Sequence, residues 1–170
     1  VNPQIQRMEE MINQEITVVK RDGRVEPLDL EKLHVMVEAS CEGITGVSAS
    51  QVEINSHLSF YDGITTEDIQ ATLIRSASDL ISLETPNYQY VAARLLLFSL
   101  RKSLNGLMWE TCTLAEQAAY GVAEGVYDPA IFDYYTEEEF GTLNSYIDHD
   151  RDFKFTYAGL RQVYDKYLVQ

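Results

Sequence analysis

The sequence predicts a mainly α fold of the α+β class, with one short β-hairpin followed by a run of helices. Three observations carry this. Two β-prone runs, EITVVK (15–20) and RVEPL (24–28), flank Asp22-Gly23, and Asp-Gly between such runs is the strongest short-range hairpin signal. Beyond them, apolar residues recur at three- and four-residue spacing in one segment after another. Gly, Pro and Ser/Thr punctuate those segments where helices would stop and start. At 170 residues and 45% hydrophobic, the chain can bury a core without disulfides or a structural metal.

The elements follow in order. Pro27 cannot donate to a ladder, so the second run is expected to lie at a sheet edge or to end early. A first helix is expected from about Asp29, with Leu30, Leu33, Val37 and Cys41 on one stripe and Gly43 to stop it. A second starts at Ser48 or Ser50 and carries Val52, Leu58 and Phe60 inward, until Tyr61-Asp62-Gly63 breaks it. Thr65, three residues before Asp68, makes a capping-box-like start for a third, with Ile69, Leu73, Ala77, Leu80 and Ile81 at helical spacing. Thr85-Pro86 supplies an N-cap and a first-turn proline for a fourth. That helix, NYQYVAARLLLFSLRK, is apolar nearly all round and is therefore expected at the centre, with Arg101 and Lys102 in its last turn.

After Asn105-Gly106 three further helices are expected, at roughly 107–124, 136–147 and 156–168, with Thr136 and Glu139 forming a capping box. Residues 1–14 read as a flexible leader, 15–105 as one domain, and 106–170 as an additional helical segment. A start on Val rather than Met fits a processed or excised piece.

The formal net charge is -14, from 27 acidic and 13 basic side chains, which argues against nucleic acid or an anionic membrane as partner. Cys41 and Cys112 stand alone without CxxC spacing, which leaves no zinc ribbon or thioredoxin-type pair and fits the reducing cytoplasm. No run approaches the roughly 18 consecutive apolar residues of a membrane span, and the start lacks the apolar core of a signal peptide. A soluble, cytoplasmic protein is expected.

Against that acidity, the turn KRDGR gathers Lys20, Arg21 and Arg24 within five positions. Turn cations are commonly just solvated. The other reading is a local anion site, because Lys32 lies in the first turn of the next helix and Arg101 and Lys102 end the most apolar one. Together these groups could converge on a triphosphate, which carries several negative charges. Neither a GxxxxGK[ST] loop nor a GxGxxG motif occurs, so such a site would be of neither the P-loop nor the Rossmann type.

Several long motifs, in order, make the chain specific. VVKRDGRVEPLDLEKLHVMVEAS, YDGITTEDIQATLIRSASDLIS and PNYQYVAARLLLFSLRK closely resemble the ATP-cone, the regulatory nucleotide-binding domain that opens many ribonucleotide reductase large subunits. YDPAIFDYYTEEEF and IDHDRDFKFTYAGLRQVYDKYLVQ resemble the helical segment that follows it in class I ribonucleoside-diphosphate reductase large subunits. The resemblance covers about residues 16–102 and 126–170.

It implies a four-helix bundle capped by a short β-hairpin or three-stranded sheet, with ATP or dATP, accompanied by Mg2+, as allosteric effector between the layers. By position, Lys20, Arg21 and Lys102 would hold phosphates, with Lys32 at the same pocket. Val18, Leu28, Leu33 and Phe98 would surround the adenine, and Glu26 and Asp29 would read its edge. Thr66, Ile69 and Gln70 would face the sugar and phosphates. Gln70 and Ser99 stand where many dATP-inhibited relatives have His, so discrimination between ATP and dATP is the property this departure touches.

The resemblance further implies an oxidoreductase that makes deoxyribonucleotides for DNA replication through a cysteine radical generated by a partner small (β) subunit. This chain would be its N-terminal activity-regulating part, carrying no redox cofactor. It is not expected to be active without the remainder of the large subunit, joined in cis or in trans, and its catalytic barrel. A degenerate cone serving only as an interaction or scaffold module is the alternative. A cone-containing transcriptional repressor is disfavoured, since that type carries a cysteine-rich zinc ribbon.

Other candidates have plainer readings. Asp148, His149, Asp150 and Asp152 form a contiguous DHDRD whose side chains splay apart, which suits a solvated or salt-bridged segment rather than a metal site. His34 and His57, with no acidic or cysteine partner at ligand spacing, read as structural, and the tail tyrosines as packing.

Overall fold

The computed structural model describes residues 16–106 and 110–168. The expected leader at 1–14, and residues 107–109 of the expected fifth helix, lie outside the described residues. The described residues group into two compact units, 16–99 with 155–168, and 100–154. The fold is mainly helical with a small three-stranded sheet, as predicted.

In the first unit, β1 (Thr17–Val19) and β2 (Val25–Pro27) pair antiparallel, Val18 opposite Glu26 and Val19 opposite Val25. Gly23 N–H donates to the Lys20 carbonyl at 2.9 Å and Lys20 N–H to that of Arg24 at 2.8 Å, closing a loop over Arg21, Asp22 and Gly23. Gly23 lies at φ +83°, a left-handed conformation that costs a side-chain-bearing residue more. A third strand, β3 (Ile64–Thr65), pairs parallel on the other side of β1, giving the order β2-β1-β3. β2 is therefore an edge strand, which accommodates Pro27.

Four helices carry the core of this unit or lead out of it: α1 (Leu30–Cys41), α2 (Ala49–His57), α3 (Thr66–Asp79) and α4 (Tyr88–Asn105). Asp29, Ser48 and Thr65 cap the first three by accepting from the backbone of Lys32, Gln51 and Asp68 at 3.1, 3.4 and 3.0 Å. α2 packs on both α1 and α3. Val37, Val52, Leu73, Ala77, Val91 and Ala92 are buried, and α4 buries residues 91–93 and 95–98, as expected of a central helix.

Some expected details differ. Leu30, Leu58 and Ile81 are exposed, because each sits at or beyond a helix end, where the periodic stripe no longer faces the core. Thr85-Pro86 does not start α4. The Thr85 hydroxyl donates to the Leu80 carbonyl at 2.8 Å and so closes the end of α3, and α4 begins at Tyr88. Buried Tyr88 ties α4 to the N-terminus of α2: its hydroxyl accepts from Ser48 N–H at 3.0 Å and donates to Gln51 Oε1 at 3.2 Å.

The second unit contains α5 (Leu114–Ala123), α6 (Ile131–Tyr134), α7 (Glu137–Ser145) and a 3-10 helix at His149–Lys154; α8 (Tyr157–Lys166) belongs with the first unit. The helix expected over 107–124 starts only at Leu114, where Thr113 and Glu116 form a capping box. The predicted Thr136–Glu139 box is present, and the short α6 is an addition. α5 packs on α7, with Phe140 buried against the rings of Phe132 and Tyr135. Gly121 lets Tyr127, in the turn that follows α5, lie against that helix, since a Cβ there would lie 2.3 Å from Tyr127 Cδ2. No helix among the described residues is long and apolar enough to cross a membrane.

His34 is not partnerless. Its Nδ1 lies 2.7 Å from Glu53 of α2 and its Nε2 3.2 Å from Glu38, one turn along α1. Glu53 chiefly, and Glu38, hold the imidazole above its ordinary pKa. Stabilisation from a raised folded pKa is complete below the unfolded value and is lost as pH rises through the folded one.

Two outcomes are expected. Leu73→Ala should lower the free energy of urea unfolding by about 2–5 kcal/mol, and a negligible loss would contradict its place in the core. Stability should fall as pH rises from 6.5 through the raised value of His34, and Glu53→Gln should flatten that slope; equal slopes would contradict the pairing.

Candidate functional site

The sheet places the cationic turn. β1 pairs with β3 through Val18 opposite Ile64 and Val19 opposite Thr65, and α3 begins at the next residue, Thr66. The chain leaving β1 as Lys20 and Arg21 therefore emerges beside the N-terminus of α3. Two contacts bridge this junction: the Thr66 hydroxyl donates to the Val19 carbonyl at 3.4 Å, and Arg21 Nε lies 3.3 Å from Glu67 Oε1.

Every cation of the turn has a carboxylate partner. Lys20 Nζ lies 3.4 Å from Glu26, Arg24 reaches Asp22 at 2.6 Å and Glu26 at 3.1 Å, and Arg21 meets Glu67. The Arg24 guanidinium holds the Asp22 carboxyl below the usual carboxylate range. Lys32 folds back on its own helix cap, with Nζ 3.1 Å from Asp29 Oδ2. The backbone N–H of Lys32, together with its side chain, holds that carboxyl low. Three cations, Lys20, Arg21 and Arg24, thus face three carboxylates, Asp22, Glu26 and Glu67, and the turn is locally neutral.

The other predicted residues divide by burial. Val18, Leu33, Ile69 and Phe98 all belong to the buried core of the first unit, while Leu28 and Thr66 are half-buried. Leu28 N–H donates to the Ile16 carbonyl at 2.8 Å, extending the hairpin by one rung. Gln70 is buried, and the Ser99 hydroxyl donates to its Oε1 at 3.0 Å. The two positions that the resemblance singled out are thus hydrogen-bonded to each other. With Oε1 held as acceptor, the free end of the Gln70 amide is its NH2 donor.

Lys102 lies near the end of α4, half-buried, in the second unit. Arg101, which the charge pattern offered to the same anion, is instead committed within that unit: Nη2 lies 3.2 Å from Asp152 and the guanidinium stacks over Phe153 at 5.3 Å. The same pair makes DHDRD a salt-bridged segment, as read. Glu67 is the site residue that sequence reasoning missed; TTED showed two acids at a helix start and nothing of the arginine they would meet.

Two cavities lie elsewhere on the first unit. One of about 450 Å3 is lined by Val35, Glu38, Ala39, Cys41, Glu42 and Ala49, and one of about 390 Å3 includes Asn55, Thr72 and Arg75. Neither is lined by the residues above. The turn, by contrast, sets its cations beside a helix N-terminus, the arrangement that suits an anion.

The chain is 48% identical to the ribonucleoside-diphosphate reductase 1 subunit alpha of Escherichia coli and 45% identical to the ribonucleoside-diphosphate reductase subunit alpha of Haemophilus influenzae, each over 94% of the chain and 21% of the relative. It is 41% identical to the corresponding subunit of Helicobacter pylori, over 91% of the chain and 19% of that protein. The chain therefore spans about a fifth of the length of the relatives it matches. Residues 16–103, just over half of its length, match the ATP cone domain, so the hairpin, the helices beneath it and most of α4 fall inside one recognised unit, and the chain belongs to the ATP-cone family.

Proposed function

We propose that this chain is the regulatory N-terminal region of a ribonucleoside-diphosphate reductase large subunit and that it binds ATP or dATP as allosteric effector. The observation that carries the proposal is the cationic hairpin turn at the N-terminus of α3, in a chain of net charge -14. So negative a molecule repels polyanions at long range and can hold one only where cations are concentrated.

Lys20 and Arg21 take the phosphates, with Lys32 close by on α1. Charge-assisted hydrogen bonds of this kind are among the strong ones, and Arg21 adds a planar fork suited to two phosphate oxygens. Mg2+ arrives with the nucleotide, as a charge on its phosphates. Lys102 takes a phosphate role on the family resemblance. Val18, Leu28, Leu33 and Phe98 give the base its apolar surroundings, while Glu26 and Asp29 supply polar groups at its edge. Three of those apolar side chains are under 10% exposed, so the base reaches them by a shift of the hairpin. Strands of three, three and two residues hold that hairpin with few ladder bonds, which places it at the low-stability end of the fold.

ATP and dATP differ at the 2′-hydroxyl, so regulation requires that this group bias two states differently. Thr66, Ile69 and Gln70 face the sugar and phosphates, and Gln70, its amide oxygen engaged by Ser99, offers a donor to a sugar oxygen. A neutral amide supplies no cation there, in contrast to the His of many relatives, and this weakens the response that separates the two effectors. The coupling passed to the rest of the enzyme is typically about 1–3 kcal/mol. Its recipients are the remainder of the large subunit and the small (β) subunit, which carry out the reduction of ribonucleoside diphosphates for DNA synthesis in the cytoplasm.

A second reading, an interaction module that binds no nucleotide, is favoured by one observation: the hairpin cations already have internal partners. Titration calorimetry separates the two. ATP and dATP should bind the wild type, and Lys20→Ala, Arg21→Ala or Lys102→Ala should each weaken binding about tenfold or more. Absence of binding of either nucleotide by the wild type would overturn the nucleotide-site assignment.

A further inference from the structure

We propose that Glu67 acts as an internal competitor for the phosphate tail, holding Arg21 until a nucleotide displaces it. The inference rests on the phosphate role given to the turn above and adds a residue that opposes it. Arg24 pairs with Asp22 and Glu26, and Lys20 with Glu26, all inside the hairpin. Arg21 with Glu67 is different, because it crosses from the hairpin loop to the first turn of α3. Glu67 sits where an anion is favoured twice, beside a guanidinium and at the positive end of a 14-residue helix. It is the protein's own anion in the position that a phosphate would take.

Its neighbours on α3 are otherwise engaged. Thr66 donates to the Val19 carbonyl, and Asp68 accepts from the Tyr61 hydroxyl at 3.3 Å. Glu67 and Arg21 are 69% and 44% exposed, so the pair opens to solvent and exchanges readily for another anion. The charge count gives the consequence. Three cations balance three carboxylates while Glu67 is in place, and removing its charge leaves the turn at plus one. Glu67 therefore makes binding selective for ligands with enough charge to outcompete a carboxylate, which favours a triphosphate over a monophosphate.

The test titrates ATP, AMP and inorganic tripolyphosphate into the wild type, Glu67→Gln, Arg21→Ala and the double variant, at about 0.05 M and 0.3 M salt, where screening lengths differ more than twofold. Glu67→Gln should tighten ATP and tripolyphosphate about three- to tenfold at low salt, AMP less, with the gain shrinking at high salt. In the Arg21→Ala background the gain should largely vanish, because the contact it relieves is gone. Circular dichroism checks that each variant is folded.

Unchanged or weaker ATP binding by Glu67→Gln beside a wild type that binds would overturn this inference alone. An equal gain with and without Arg21 would also overturn it, as a general effect of net charge. Failure of both the wild type and Glu67→Gln to bind ATP would overturn the nucleotide reading and this inference with it. Binding by Glu67→Gln alone would mean that ATP cannot displace Glu67, which overturns the nucleotide reading of the wild type and the exchange proposed here.

Discussion

The parallel pairing of β1 with β3 is the constraint on which the site depends. Only Val18 with Ile64 and Val19 with Thr65 are in register, yet this seam fixes where the hairpin meets the bundle. One strand of it delivers Lys20 and Arg21, and the other runs directly into α3 at the same end. Buried Val18 and Ile64 give the seam its apolar weight. Asp62 ties it from outside, accepting from the backbone and hydroxyl of Thr17 at 2.9 and 2.6 Å, bonds that hold its own carboxyl below the usual range. Without that seam the turn would be a solvated loop on a two-stranded ribbon, which is marginal by itself.

Electrostatics then decides what the junction can do. In a chain with an excess of 14 negative charges, three cations at one turn could be an anion site or could be balanced by their neighbours. Here they are balanced, through contacts that are mostly exposed and individually weak. Weakness is what makes the arrangement serve a ligand. A buried network of the same charges would cost too much to rearrange, whereas exposed pairs can exchange a carboxylate for a phosphate at little net cost. The Gln70–Ser99 bond is the contrasting case, buried and neutral, and it fixes an orientation rather than responding to charge.

Local signals in the sequence translated directly into structure. Asp22-Gly23 gave the hairpin, Thr65 and Thr136 gave helix starts, and a segment apolar nearly all round gave the central helix α4. Such features rest on residues within a few positions of each other. Features closed over long separations were hidden: Arg101 is taken by Asp152, and His34 reaches Glu53 on the next helix. β3 is too short to show a period of two. The family resemblance brought Gln70 and Ser99 to notice separately, and only the fold joins them. Glu67 escaped both routes, because nothing in the sequence brings Arg21, 46 positions away, beside it.

The account's central claim, that a nucleotide's phosphates are received where the hairpin turn meets α3, is tested most directly by NMR of the isotopically labelled chain under titration with ATP. The predicted result is a set of saturable shifts concentrated on the backbone of residues 20–24 and 65–68, with the Arg21 side-chain N–H moving as Glu67 is displaced. Saturating ATP that leaves these signals in place, or that shifts only residues around the cavity at Glu38 and Cys41, would contradict it.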